Sequence, residues 1–360
     1  MTARDRRRAL IGLLIRTTIG AAVWTAATGT PAAQSPSPAA GGDAAATTGW
    51  VAPRTLWGEP DLQGIWPSIL MQGTPLERPE SFGPRDTLND VEFNARVELS
   101  RRQAAIELER YLDPEVARRS SSTGPPAHWA ERGAPSRQAS LIVDPADGRL
   151  PPLTPQGTAR MDAIRSTYYY DFPDRVEAHP FERFDDLGPY DRCISRGLLA
   201  SMLPTGYNMG TQIVQVPGFV VILNEMIHET RVIPLDGRPH LDARIRQYMG
   251  DSRGRWDGDT LVVESRNFDT RVGLTLNGNA TPASRSLRIE ERFTRLDADT
   301  LRYEATVDDP ETWTRPWAVS LPLTRQPDYG MYEYACHEGN YGMRNVLSAA
   351  RSEEAARSEP

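Results

Sequence analysis

Three short runs hold the residues best suited to chemistry. The first is Val220-Val221-Ile222-Leu223-Asn224-Glu225-Met226-Ile227-His228-Glu229-Thr230-Arg231. Its four leading apolar residues predict a strand buried on both faces. Glu225 and His228 continue that strand and are therefore expected to be partly buried. A buried carboxylate needs a partner or a displaced pKa, and either marks a candidate site. Strand alternation places Glu225 and His228 on opposite faces unless a bulge intervenes, so a direct dyad is not expected. The alternative is a core histidine satisfied by backbone and a glutamate paired with an arginine.

The second run is Tyr334-Ala335-Cys336-His337-Glu338-Gly339-Asn340-Tyr341-Gly342, where polar side chains leave a strand for a Gly-flexed loop. The third is Asp191-Arg192-Cys193. Cys193 and Cys336 are the only two cysteines, and an even pair in an oxidising compartment reads most simply as one disulfide. Such a bond would bring Arg192 and Asp191 near His337 and Glu338. A guanidinium, a carboxylate and an imidazole would then meet, as proton transfer on an anionic or carbonyl-bearing ligand requires. His240, after the turn Asp236-Gly237-Arg238-Pro239, is a further candidate. In this reading His228 or His337 is the acid or base, and Glu225 and Glu338 orient or share protons. Arg192, Arg231, His240, Asn340 and Tyr341 bind substrate.

Other chemistries leave weaker marks. Gly250-Asp251-Ser252-Arg253-Gly254 matches G-x-S-x-G, but a nucleophile elbow needs a following helix, and Arg255 to Glu264 reads as a hairpin and strand. A Gly-bounded turn is the expectation for Ser252. Three histidines and two glutamates could compose a zinc or iron site, yet no H-x-x-x-H, H-E-x-x-H or C-x-x-C spacing supports one. The sequence demands no cofactor. Tyr168, Tyr169, Tyr170, Trp313 and Trp317 could line a pocket, although packing is their plainer use.

The elements that must position these residues are mainly β. With 30 Pro and 28 Gly in 360 residues, turns abound and a helical bundle is excluded. Strands are expected over Ile213 to Val216, Phe219 to Met226, Arg231 to Pro234, Ser286 to Phe293, Leu301 to Val307, Trp317 to Leu323 and Tyr332 to Ala335. The echo D-x-D-T-L-x-x-E, at Asp257 to Glu264 and again at Asp297 to Glu304, predicts two equivalent hairpin turns. Before them, Leu88, Val91, Ala95, Leu99 and Ile106 predict an amphipathic helix packed on the sheet, started by Thr87 and Asp90. A second helix starts at Thr154-Pro155. The fold class is β-rich α+β: an antiparallel meander forming a barrel or strongly bent sheet, with an N-terminal helical segment. Gly64-Ile65-Trp66 resembles the opening strand of lipocalin-type barrels.

Residues 1–33 carry Arg4, Arg6, Arg7 and Arg8, a short apolar stretch and Pro31-Ala32-Ala33, the layout of a secretory signal. The pair Arg7-Arg8 fits the twin-Arg route as well as the general one. Residues 34–49 read as a flexible linker. Residues 50–190 form an N-terminal strand with a helical and loop region, 191–350 a β-rich domain packed with it as one unit, and 351–360 a disordered tail. All 41 basic residues are Arg, and the net charge is −7. The first 33 residues hold five Arg and one Asp, leaving −11 for the remainder. Such acidity excludes a nucleic-acid footprint over the whole chain. A periplasmic or secreted location follows, with a small-molecule ligand as partner and no integral membrane segment after cleavage.

Several runs together resemble a large family of exported, functionally uncharacterised bacterial proteins. They are Gly58-Glu59-Pro60-Asp61-Leu62-Gln63-Gly64-Ile65-Trp66, Pro75-Leu76-Glu77-Arg78-Pro79, Asp191-Arg192-Cys193, Glu225-Met226-Ile227-His228, Ile233-Pro234-Leu235-Asp236-Gly237-Arg238-Pro239-His240, Gly250-Asp251-Ser252-Arg253-Gly254-Arg255-Trp256 and Tyr334-Ala335-Cys336-His337-Glu338-Gly339-Asn340-Tyr341. The resemblance implies membership and export but no reaction. From the residues themselves, the expected function is an enzyme doing acid–base chemistry of the lyase, hydratase or isomerase type on a small organic or carbohydrate-derived molecule. A non-catalytic small-molecule-binding protein and a metal-dependent hydrolase or oxygenase are the alternatives.

Overall fold

Alternating apolar residues bounded by turn formers give ten strands among the described residues of the computed structural model, which are 50–71, 73–113, 129–133, 135–163, 181–275 and 281–358. The expected signal and linker, His128, Ile164 and the tyrosine run 168–170 lie outside them. Four strands form one antiparallel sheet in the order β1-β3-β4-β5: β1 (Gly64–Ile65), β3 (Thr211–Val216), β4 (Phe219–Asn224) and β5 (Thr230–Pro234). Six form the other in the order β2-β10-β9-β8-β7-β6: β2 (Ile142–Asp144), β6 (Asp251–Asp257), β7 (Thr260–Arg266), β8 (Arg288–Arg295), β9 (Thr300–Asp308) and β10 (Trp317–Thr324). From β6 to β10 every consecutive pair is a hydrogen-bonded neighbour, so the expected meander is present. The D-x-D echo forms the two hairpin turns, with Asp257 opposite Thr260 and Arg295 opposite Leu301.

Neither sheet closes on itself, so the bent open form is correct and a barrel is not. A single core joins both sheets, running from Ile213, Val220, Ile222 and Ile233 to Leu261, Ile289, Phe293, Tyr303 and Trp317. Trp66 is wholly buried in it, under the Arg325 guanidinium at 4.8 Å from the ring centre. Where β5 passes β6, a side chain at Gly254 would meet Leu235 at 2.6 Å and Ile233 at 2.9 Å, so glycine sets the close approach of the sheets.

The helices are α1 (Asp90–Leu112), α2 (Pro155–Ala163), α3 (Leu198–Met202) and α4 (Gly342–Ser358). The first differs from expectation in two ways. Its cap is Asn89, which accepts from Glu92 N while the Glu92 carboxylate accepts from Asn89 N, a full capping box. Its apolar stripe does not pack on the sheet: Val91, Leu99 and Ile106 are exposed. The C-terminal stretch expected to be disordered from 351 is the second half of α4. Alanine and glutamate have high helix propensity there, and Arg351–Glu354 and Arg357–Glu353 pair one turn apart. Tyr332 to Ala335 forms no strand; its backbone is held by the side chains of Glu225 and His228, and this matters for the site.

Candidate active site

The chain turns back after β4 in a four-residue loop that the sequence conceals. Asn224 N donates to Glu229 O at 2.9 Å, and Glu225 to His228 fill the loop between them. The expected strand through Glu225 and His228 therefore ends at Asn224, and the two-face argument does not apply. Nor is β4 buried on both sides: Val220, Ile222 and Asn224 point into the core while Val221 and Leu223 are half-buried. The loop is strained. Ile227 (φ 65°) and His228 (φ 47°) both adopt the left-handed region, which a β-branched residue rarely visits. Each such residue costs ~1–2 kcal/mol. Ile227 tolerates it because its side chain is buried.

Strain gathers here. Of the six non-glycine residues with positive φ among those described, Cys193, Asn208, Ile227 and His228 belong to one connected cluster. Glu225 is its hub, fully buried and held on both carboxylate oxygens. Oε1 accepts from Asn208 Nδ2 at 2.9 Å and Tyr332 N at 3.0 Å; Oε2 accepts from Tyr329 OH at 2.7 Å and Gly210 N at 3.3 Å. Position 210 must be glycine, because a Cβ there would lie 2.6 Å from Oε2. With four donors in place, Glu225 has no lone pair left to accept a substrate proton, and its work is to hold the loop against 208–210 and 329–332.

A second carboxylate stands behind it. Glu131 accepts from Asn208 N at 2.8 Å and Met209 N at 3.2 Å, and lies 3.1 Å and 3.2 Å from the Tyr329 hydroxyl. One phenolic proton cannot serve both carboxylates, and it goes to the nearer Glu225. Burial, outweighing its two backbone donors, raises the Glu131 carboxyl above its ordinary range, with the neighbouring Glu225 charge adding to the rise. Burial between two acids also drives the Tyr329 hydroxyl far up.

His228 is the exposed member. Its Nδ1 lies 3.1 Å from Tyr334 O. A carbonyl only accepts, so Nδ1 carries the hydrogen and the neutral ring keeps its lone pair on Nε2, which has no partner among the described residues. Tyr334, whose carbonyl holds the ring, exchanges hydroxyl hydrogen bonds with Tyr190 and Tyr207. Burial pushes Tyr207 up to about 12, partly offset by the nearby Arg196 charge, and raises Tyr334 as well. Tyr190 also reaches Met226 Sδ at 3.8 Å, which ties the trio to the strained loop. Below it, burial raises the Glu229 carboxyl despite the donation from Arg196 N at 2.9 Å.

The disulfide Cys193–Cys336 is formed, with Cα atoms 5.6 Å apart and a sequence separation of 143. It pins the segment carrying Tyr329, Tyr332 and Tyr334 across the loop. The gathering expected from it is different in kind. His337 and Glu338 are exposed and make no side-chain hydrogen bond or ion pair among the described residues, and Tyr341 is exposed too. Asn340 instead donates to Asp191 O at 3.0 Å, clamping the two cysteine segments together. Arg231 is not free for substrate: it is buried and grips Glu291 at 2.5 Å and 2.9 Å, with Tyr303 OH donating to the same carboxylate at 3.1 Å. His240 is closed as well, its Nδ1 2.9 Å from Asp251 Oδ2 and its Nε2 3.0 Å from Glu264 Oε1. Arg192 lines a separate cavity, described below. Ser252 sits inside β6 and shares a hydrogen bond with Ser265 at 2.8 Å, so it is neither an elbow nor the expected turn.

Among the described residues no three His, Cys, Asp or Glu side chains group as metal ligands. None of the described helices is long and apolar enough to cross a membrane. Comparisons with family models, with curated proteins and with solved structures return no match for this chain. Reasoning from sequence missed Glu131, Asn208, Tyr329, Tyr190 and Tyr207, and it gave Tyr334, in the second run, no role. They come from separate loops with no shared spacing, and only the Tyr-rich composition of 329–341 hinted at them.

Proposed function

We propose that the chain is an exported enzyme of acid–base chemistry, of lyase, hydratase or isomerase type, acting on a small organic or carbohydrate-derived molecule. The observation that carries this reading is the strained loop Glu225 to His228, which presents one histidine with Nδ1 fixed on the Tyr334 carbonyl and Nε2 without a partner among the described residues. Non-glycine residues persist in left-handed backbone only where the surroundings over-determine them, and such strain concentrates at functional sites. His228 Nε2 removes a proton from carbon or water. A hydroxyl of the tyrosine trio donates to the oxygen on which charge develops. Of the two roles expected from sequence, orienting or sharing protons, Glu225 takes the first: it positions the loop. The disulfide supports export to an oxidising compartment.

Proton abstraction leaves a trace even without net turnover. Candidate hydroxy acids and sugar acids are incubated with the protein in deuterated water and followed by proton NMR. A substrate shows loss of one carbon-bound proton signal, and His228→Gln slows that exchange by about 100-fold or more. Exchange at the wild-type rate in His228→Gln overturns the assignment.

A further inference from the structure

A cavity of about 740 Å³ lies apart from the strained loop and is lined by four arginines, Arg160, Arg192, Arg271 and Arg285. Its size is ordinary for a small-molecule site. The balance of its charges is not ordinary in a chain of net charge −7. The carboxylates on its wall are already engaged. Asp185 pairs with Arg183 at 3.1 Å, Asp186 accepts from Glu182 N and Arg183 N, both at 2.9 Å, and Glu311 accepts from Ser286 Oγ. The guanidiniums are unequal. Arg271 is held by Asp269 at 2.7 Å and 3.0 Å, outside the cavity. Among the described residues Arg160 is held by neutral acceptors only, the Glu311 carbonyl and Thr312 Oγ1 at 3.1 Å. Arg192 and Arg285 have no ion pair among the described residues, and Arg192 Nε is buried with no hydrogen-bond partner.

A buried donor without an acceptor calls for an explanation, and a guanidinium without a counter-charge calls for an anion. Arg192 is also held in place, because Cys193 beside it carries the disulfide and Asn340 clamps Asp191. We propose that this cavity binds a small organic anion through a carboxylate or phosphate group, gripped by Arg192 and Arg285, with Arg160 as the third positive charge. The site stands independently of the acid–base reading: it uses none of the residues assigned to proton transfer.

Isothermal titration of the full chain with citrate and with inorganic phosphate, at ionic strength matched with sodium chloride, tests it. Saturable binding of at least one probe is expected. Arg285→Gln, on the exposed rim, weakens it several-fold, and Arg192→Gln/Arg285→Gln weakens it more than tenfold. His228→Gln binds as wild type, which keeps failure here distinct from failure of the acid–base reading. Citrate alone saturating assigns a carboxylate ligand, and phosphate alone a phosphate-bearing one. No saturation by either probe above the chloride control, or binding unchanged in Arg285→Gln and in the double variant, overturns the proposal.

Discussion

His228 and His240 flank β5, twelve residues apart in sequence, and their imidazoles are held in opposite ways. His240 is bracketed by the carboxylates of Asp251 and Glu264, which are themselves tied to Arg253 at 2.6 Å and to Arg266 and Arg288 at 2.7 Å. Nothing on that ring is left to react. His228 is exposed, is fixed through Nδ1, stands in left-handed backbone and has no partner for Nε2 among the described residues. Residue type therefore does not distinguish the two. What separates a structural histidine from a chemical one is the number of its nitrogens already engaged, together with the sign of its contribution to stability.

The closed side of this comparison should be expensive to disturb. Arg231 and Glu291 are its deepest members. Arg231→Met leaves the Glu291 carboxylate buried and unpaired, and should lower stability by about 3–5 kcal/mol in urea unfolding. Adding Glu291→Leu should restore much of that loss, because an apolar pair of similar volume carries no desolvation penalty. His240→Ala removes two hydrogen bonds to charged partners and should cost about 1–3 kcal/mol.

The open side should respond in the other direction. His228→Gly gives up one exposed hydrogen bond and releases left-handed strain, so stability should rise by about 0.5–1 kcal/mol. A loss above 1 kcal/mol would show that the loop is not strained at this position, and the contrast with His240 would fail.

The smallest effect expected is one of pH. The Glu131 carboxyl is raised from its ordinary 4.5 in the folded chain. The folded state thus holds that proton more tightly than the unfolded state does. The stability this supplies is complete below pH 4.5 and fades as pH rises through the raised value. Glu131→Gln lacks the titration, so the stability difference between wild type and variant should shift in favour of the variant between pH 4.5 and 7.5. A shift toward wild type over that interval would mean that Glu131 is ionised throughout.

The parts of the molecule that follow local rules were legible. Two Cys in an expected oxidising setting, the D-x-D-T-L echo and the runs that form β8 to β10 all depend on chemistry within a few residues, and each has its counterpart in the fold. The loop at Glu225 to His228 was not legible because Met226-Ile227-His228 has strand composition. Only tertiary contacts, with Ile227 buried and Glu225 gripped from 208, 210, 329 and 332, hold it in a conformation its residues disfavour. Glu131 was invisible for a related reason: its partners lie 77, 78 and 198 residues away. The α1 face failed in the opposite sense, since helical periodicity was present without a surface to cover it. Closure of the sheet was a matter of how many strands share one ladder, and a division into four and six left both open.

The central claim is that His228 alone among the two bracketing histidines carries a free ring nitrogen, and long-range proton–nitrogen NMR of the imidazoles reads this directly. The neutral His228 ring should show a protonated Nδ1 and a bare Nε2, and diethyl pyrocarbonate should modify it well before His240. A protonated Nε2 on His228, or equal modification of the two histidines, would contradict the account.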